Sequence, residues 1–176
     1  MPKKYVLTGG PGTGKSALLL ELERRGEYVV REAAIDVIFL SQAKGIMEPW
    51  RDIDAFQDEI VRLQLHRERN LPSDLGRVFL DRGIPDGLAY FKLKNVPPTT
   101  FVFGRSGVLD YESSAFFLEP LGIYNQTKTR RESQSEAEEL GNLLIKVYEH
   151  IGFDIVKIPP LSVEERANLI LSRINQ

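Results

Sequence analysis

Gly9-Gly10-Pro11-Gly12-Thr13-Gly14-Lys15-Ser16 decides the fold of this 176-residue chain. It fits G-x-x-x-x-G-K-[ST], the glycine loop that cradles nucleotide triphosphates. The flanks suit the motif. Tyr5-Val6-Leu7-Thr8 before it is a short strand-like run, and Ala17-Leu18-Leu19-Leu20-Glu21-Leu22 after it has helical character. Strand, loop and helix in that order are the context in which the motif works. Glycines let the backbone curl so that successive N–H groups point inward at phosphate oxygens, and the helix adds its positive end. Gly10, Pro11, Gly12, Thr13, Gly14, Lys15, Ser16 and Ala17 are therefore the expected nucleotide-binding set. Lys15 is expected to reach the β- and γ-phosphates, and Ser16 to offer its hydroxyl to Mg²⁺.

Composition narrows the function classes. Hydrophobic residues make up 42%, charged residues 27%, and the formal net charge is −2, which argues against a nucleic-acid partner because such partners need a basic stripe. Without cysteine there is no disulfide framework and no thiolate metal site, and His66 and His150 are too few for a histidine-rich one. No apolar run approaches a membrane span, and a glycine loop interrupts the N-terminus before a signal-peptide core forms, so a cytoplasmic protein is expected. The length favours a single domain over residues 1–176, and no exposed apolar stripe speaks to an oligomeric state.

Outward from the loop, strands and helices alternate. The first helix should end near Arg25 with Gly26 beyond it, followed by a strand at Glu27–Arg31 and a helical stretch from Ala33 to Phe39. A longer helix over about 52–69 carries Ile53, Phe56, Ile60 and Leu63 at helical spacing, which predicts its core face. Arg77–Asp81 is a third strand, 86–93 a helix, and Ala115–Glu119 a fourth strand. The segment from Thr99 to Tyr111 shows no pattern. A helix over about 133–150, a strand at Phe153–Ile158 and a final helix opened by a Ser162/Glu165 capping box complete the chain. This alternation predicts an α/β fold of three layers, a five-stranded parallel sheet between helices, with ligands at the carboxyl ends of the strands.

The residues at those ends discriminate among nucleotide chemistries. Val78-Phe79-Leu80-Asp81 is a Walker-B-like strand whose Asp81 would hold Mg²⁺ directly or through water. The next residue is Arg82, where a hydrolysing ATPase would carry a glutamate. An arginine suits a bound anionic or polar substrate better than water activation. Neither N-K-x-D nor L-S-G-G-Q occurs, which argues against a switch GTPase and a transport ATPase. A kinase needs a carboxylate that orients the acceptor hydroxyl, and Glu32 after the second strand is placed for it; a glutamate favoured only by the helix dipole is the other reading. Arg130 and Arg131, between the fourth strand and the next helix, stand where a lid would stabilise charge on the transferred phosphoryl, unless they form an ordinary solvated loop.

G-G-P-G-T-G-K-S, V-V-R-E-A-A, P-W-R-D, F-L-D-R-G-I-P-D-G-L-A-Y and R-R-E-S together resemble the predicted ATPase/kinase AAA-domain P-loop family, related to nicotinamide riboside kinases and thymidylate kinase-like enzymes. The resemblance spans nearly the whole chain, although only the P-loop is specific by itself. It implies a nucleotide-kinase-like fold binding ATP or GTP with Mg²⁺. It also implies that Arg82, Asp86 and Tyr90 face the acceptor and that Arg130 and Arg131 belong to the lid. Trp50, Phe56 and Gln57 would form a base-stacking and amide-reading wall as in deoxynucleoside kinases, although Phe56 lies on the predicted core stripe and Gln57 falls off it, toward the surface. Pro159, Pro160 and Leu161 occupy the usual adenine position. The function expected is an ATP-dependent phosphotransferase acting on a small nucleoside-like acceptor. The alternative is an ATP- or GTP-binding module that hydrolyses slowly and regulates a partner.

Overall fold

The computed structural model describes residues 1–107, 109–122 and 133–175. Five parallel strands form one sheet: β1 (Lys3–Thr8), β2 (Tyr28–Val30), β3 (Arg77–Asp81), β4 (Ser114–Leu118) and β5 (Asp154–Ile158). Their order across the sheet is β2-β3-β1-β4-β5. Seven helices connect or cover them among the described residues: α1 (Lys15–Arg24), α2 (Ala33–Ala43), α3 (Ile53–Arg69), α4 (Asp86–Leu93), α5 (Thr100–Ser106), α6 (Gln134–His150) and α7 (Val163–Ile174). A short 3₁₀ turn at Pro49–Arg51 joins α2 to α3.

Strand periodicity sorts the core onto two faces, since successive side chains point to opposite sides. Tyr5, Leu7, Phe79, Phe116, Leu118 and Ile158 pack against Leu18 and Leu22 of α1 and Ala167 and Ile170 of α7. The intervening positions serve the other face. Val6, Val78, Leu80 and Ala115 pack with Tyr148 of α6, while Phe117 joins Phe91 of α4 and Leu140 and Leu144 of α6. Both faces being covered explains why the strands are nearly continuous apolar runs.

This arrangement fixes where a ligand can sit. β1 and β3 are neighbours, yet the helix after β1 covers one face and the helix after β3 the other. Their carboxyl ends therefore splay apart into a crevice, the topological switch point of an open α/β sheet.

The element positions expected from sequence agree with the structure, with two corrections. The unpatterned stretch after Thr99 contains α5, capped by the Thr99 hydroxyl accepting from Val102 N. The second correction concerns α3. Its buried residues are Gln57, Val61, Gln64 and Glu68, whereas Ile53, Phe56, Ile60 and Leu63 are only half-buried. Apolar spacing misidentified the inward face because that face lines a cavity and a polar network.

Replacing Leu144, fully buried between β4 and α4, by alanine should lower stability by about 2–5 kcal/mol. Urea denaturation with an unchanged m-value reads it; a loss below about 1 kcal/mol would mean that α6 does not close this face.

Candidate nucleotide and acceptor site

Two glycines shape the loop for steric reasons. Gly9 has φ +142°, and a Cβ there would stand 2.8 Å from the Leu118 carbonyl oxygen; Gly14 has φ +82°, a backbone that side-chain-bearing residues rarely adopt, and a Cβ there would stand 3.3 Å from Leu121. Thr13 closes the turn by donating its hydroxyl to Gly10 O at 3.0 Å. The buried Lys15 ammonium lies back on the loop, donating to Gly9 O at 2.7 Å and Gly10 O at 3.0 Å. Burial, then the neighbouring Arg82 cation, lowers its pKa to about 8.

Arg166 of α7 supports the loop from outside the crevice. Its guanidinium donates to Thr13 O (2.6 Å), Pro159 O (2.8 Å) and Glu119 O (3.1 Å), tying the loop to the ends of β4 and β5. Sequence reasoning missed it. The available signal was an arginine on the same helical face as Val163, Ala167 and Ile170, where a solvated cation does not belong.

Opposite the loop, the chain after β3 builds an ionic cluster. Arg82 adopts φ +70°, a left-handed backbone uncommon for a side-chain-bearing residue. Its Nε donates to Glu32 Oε1 at 2.9 Å, its Nη1 to Asp86 Oδ1 at 3.0 Å, and its guanidinium sits 5.7 Å from the Tyr90 ring centre. Asp86, expected to face the acceptor, has its carboxylate engaged by four donors of the protein itself. Oδ1 also accepts from the Thr8 hydroxyl at 2.9 Å, and Oδ2 accepts from Gly83 N at 3.2 Å and the Tyr148 hydroxyl at 2.6 Å. With four donors in place, Asp86 acts as the anchor for Arg82. Burial works against ionisation of Glu32, but Arg82 and then Lys15 outweigh it and hold its carboxyl below the usual range.

Asp81 is the exception in this cluster. Its Oδ1 is buried with no hydrogen-bond partner, and burial raises its pKa to about 6 despite Lys15 nearby. An orphaned buried carboxylate oxygen is costly and rare in native proteins. Together with the Ser16 hydroxyl at the start of α1, it fits the donor set of a Mg²⁺ ion, whose oxygen preference and positive charge would relieve the carboxylate. Among the described residues no group of three acidic or imidazole side chains is arranged to hold a metal ion by itself, so substrate phosphates and water would complete the shell.

A cavity of about 770 Å³ runs from the loop into the space under α2 and α3. It places Pro11, Gly12, Thr13, Gly14, Lys15, Ser16 and Ala17 at one end, with Glu32, Asp81, Arg82, Asp86 and Tyr90 beside them. Gly10 does not line it; its α-carbon faces α6, where a Cβ would meet Ala137 O at 2.9 Å. Trp50, Phe56 and Gln57 line the far wall. Gln57, expected at the surface, is only 5% exposed, and Phe56, expected in the core, is half-buried at the cavity wall. Ile35, Ile38 and Phe39 of α2 complete the wall, which the sequence reading did not single out. Arg130 and Arg131 lie outside the described residues.

A family model described as an AAA domain matches residues 4–166. The chain belongs to this P-loop family. Its fold is that of the P-loop nucleotide kinases. Thymidylate kinase from Candida albicans superposes with a TM-score of 0.70 at 14% identity, over 99% of this chain and 91% of that one. Deoxyadenosine kinase from M. mycoides, with bound dATP, superposes with a TM-score of 0.59 at 20% identity, over 99% and 100%. Nothing among curated protein sequences matches. No helix among the described residues of this family member is long and apolar enough to cross a membrane.

The orphaned carboxylate makes a signed prediction. Folded Asp81 holds its proton up to about pH 6, against an ordinary carboxyl value of 3.8, so its contribution to stability is full below pH 3.8 and is lost as pH rises through about 6. Asp81→Asn should therefore raise the Tm of the protein above pH 7, with the gain vanishing below pH 4. A variant less stable than wild type at pH 7.5 would contradict this account.

Proposed function

We propose that this protein transfers the γ-phosphoryl group of ATP to a hydroxyl or phosphate of a small nucleoside-like acceptor. The observation that carries the reading is the continuity of the phosphate loop with a walled chamber whose junction holds Glu32 and Arg82 as an ion pair. A nucleotide hydrolase needs room for one water beside its carboxylate. Here the residue after Asp81 is a cation, and its partner Glu32 opens toward a space sized for a second ligand.

Each group then has a task. Loop N–H groups and Lys15 hold the triphosphate, with the ammonium exchanging the Gly9 and Gly10 carbonyls for phosphate oxygens. Ser16 and Asp81 would hold Mg²⁺, which neutralises charge on the β- and γ-phosphates when bound. Glu32, kept ionised by Arg82 and Lys15, accepts a hydrogen bond from the acceptor hydroxyl and orients its oxygen toward the γ-phosphorus. Arg82 faces both substrates, rigidly held by Asp86, so its charge is pre-aimed at the transferring group. Trp50 and Phe56 supply flat apolar surface and Gln57 an amide for a planar base. The thymidylate and deoxyadenosine kinases support this choice of acceptor class through their shared fold.

The decisive assay is a panel of nucleosides, nucleotides and vitamin ribosides with ATP and Mg²⁺, reading ADP release with and without each compound and product mass. One acceptor should stimulate release manyfold and gain a phosphoryl group. Uniform slow release alongside tight nucleotide binding would instead support a nucleotide-dependent regulatory module.

Variants separate the roles. Lys15→Ala should abolish triphosphate binding or turnover, and Arg82→Ala should raise the acceptor KM or lower kcat with ATP affinity nearly intact. Equal loss of ATP binding in Arg82→Ala would assign that arginine to the nucleotide. Of Arg130→Ala and Arg131→Ala, at least one should lower kcat by roughly 10²-fold or more if the segment is a catalytic lid.

A further inference from the structure

The inward face of α3 carries an unusual stripe. Gln57, Val61, Gln64 and Glu68 recur at helical spacing and are all buried, yet three of the four are polar. Gln57, Val61 and Gln64 line the cavity, and Glu68 lies one turn beyond Gln64. Glu68 reaches Lys4 at the start of β1, the end of that strand opposite the phosphate loop. The α3 stripe thus runs from the loop side of the chamber toward the amino ends of the strands.

The two glutamines are held differently. Gln57 has no hydrogen-bond partner among the described residues, and Gly87 leaves it room, since a Cβ there would stand 3.1 Å from Gln57 Oε1. Gln64 is engaged: its Nε2 donates to Glu68 Oε1 at 2.9 Å. The same oxygen accepts from the Tyr111 hydroxyl at 2.8 Å, and Oε2 accepts from Lys4 Nζ at 3.2 Å. Lys4 also donates to Asp110 at 2.8 Å, and Ile84 N donates to the Tyr111 oxygen at 3.4 Å. Burial, then Glu68, pushes the Tyr111 phenol well above its usual pKa, so it remains a donor.

An ionised carboxylate can only accept hydrogen bonds. Turning the Gln64 amide over would set its carbonyl oxygen against Glu68 in a buried site and forfeit the N–H···O bond. The amide is therefore held with Oε1 as its unengaged heavy atom. A chamber with one unengaged amide and one fixed carbonyl oxygen distinguishes ligands by what they present to the fixed group. A ligand N–H is satisfied there. A ligand carbonyl leaves two acceptors facing each other, a mismatch that polar recognition sites reject strongly.

We propose that Gln64, locked by the buried Glu68–Lys4–Tyr111 network, is a specificity-determining residue that selects acceptors bearing an exocyclic amino group over their oxo counterparts. This rests on the nucleoside-like acceptor reading above. Glu68, Lys4 and Tyr111 act through Gln64 and are positioning residues. The network also assigns a purpose to the segment before β4, since Asp110 and Tyr111 come from it and close the cage around Glu68 and Lys4.

Calorimetric binding of two matched pairs, cytidine against uridine and adenosine against inosine, tests this on the full chain without ATP. In each pair that binds, the amino member should bind at least about tenfold tighter. Gln64→Met, similar in volume but without the carbonyl, should bring the ratio to about one. Glu68→Gln lets the Gln64 amide turn either way and should narrow the ratio while Gln64 remains in place. If Glu68→Gln unfolds, Gln64→Met decides alone. Equal affinity within the pairs, no binding of any of the four, or a ratio that survives Gln64→Met would overturn the proposal. Product formation is read separately. Amino-selective binding with no phosphorylated product would strike the kinase reading and leave the selectivity standing, whereas equal kcat/KM for amino and oxo acceptors would do the reverse.

Discussion

The crevice between β1 and β3 concentrates charge in a poorly solvated place, and mutual neutralisation there is the constraint on which the rest of the site depends. Lys15, Glu32, Arg82 and Asp86 are withdrawn from water and none is tolerable alone. Asp86 with its four donors is the pivot: it fastens the end of β1 through Thr8, the turn after β3 through Gly83, α6 through Tyr148, and Arg82. Arg82 in turn holds Glu32. The left-handed backbone of Arg82 is local strain that this set of bonds maintains, of the kind that collects where geometry matters more than stability.

The cluster leaves one group unserved. Asp81 keeps a bare buried oxygen while every carboxylate around it is paired. A buried carboxylate oxygen left without a partner beside such fully satisfied neighbours is costly to the fold, and it lies at the edge of the phosphate loop. The loop itself is self-satisfied when empty, with Lys15 folded onto its carbonyls and Arg166 bracing it from behind.

The part of the cavity under α2 and α3 follows the same logic with weaker forces. Its α2 wall is mainly apolar, its α3 wall carries amides, and the Glu32–Arg82 pair lines it as well. Apolar surface supplies affinity without direction, whereas a fixed amide supplies direction. The polar stripe of α3 is buried on two counts: Gln57 and Gln64 line the cavity, and Glu68 ties Gln64 to Lys4.

The sequence alone determined the loop, the alternation of strands and helices, and the residues at the strand ends. These are local matters: a glycine loop with a strand before it and a helix after it, alternating apolar runs, a serine–glutamate capping box at Ser162. Asp81, Arg82 and Glu32 were legible because strand ends in a parallel sheet share one edge. The tertiary structure decided what depends on contacts distant in sequence. Asp86 became an anchor because Tyr148, 62 residues away, reaches it. Arg166 reached the loop across 153 residues. The inward face of α3 is polar because a cavity and Glu68 lie beneath it, so apolar periodicity, which presumes an apolar core on the other side, pointed to the wrong stripe.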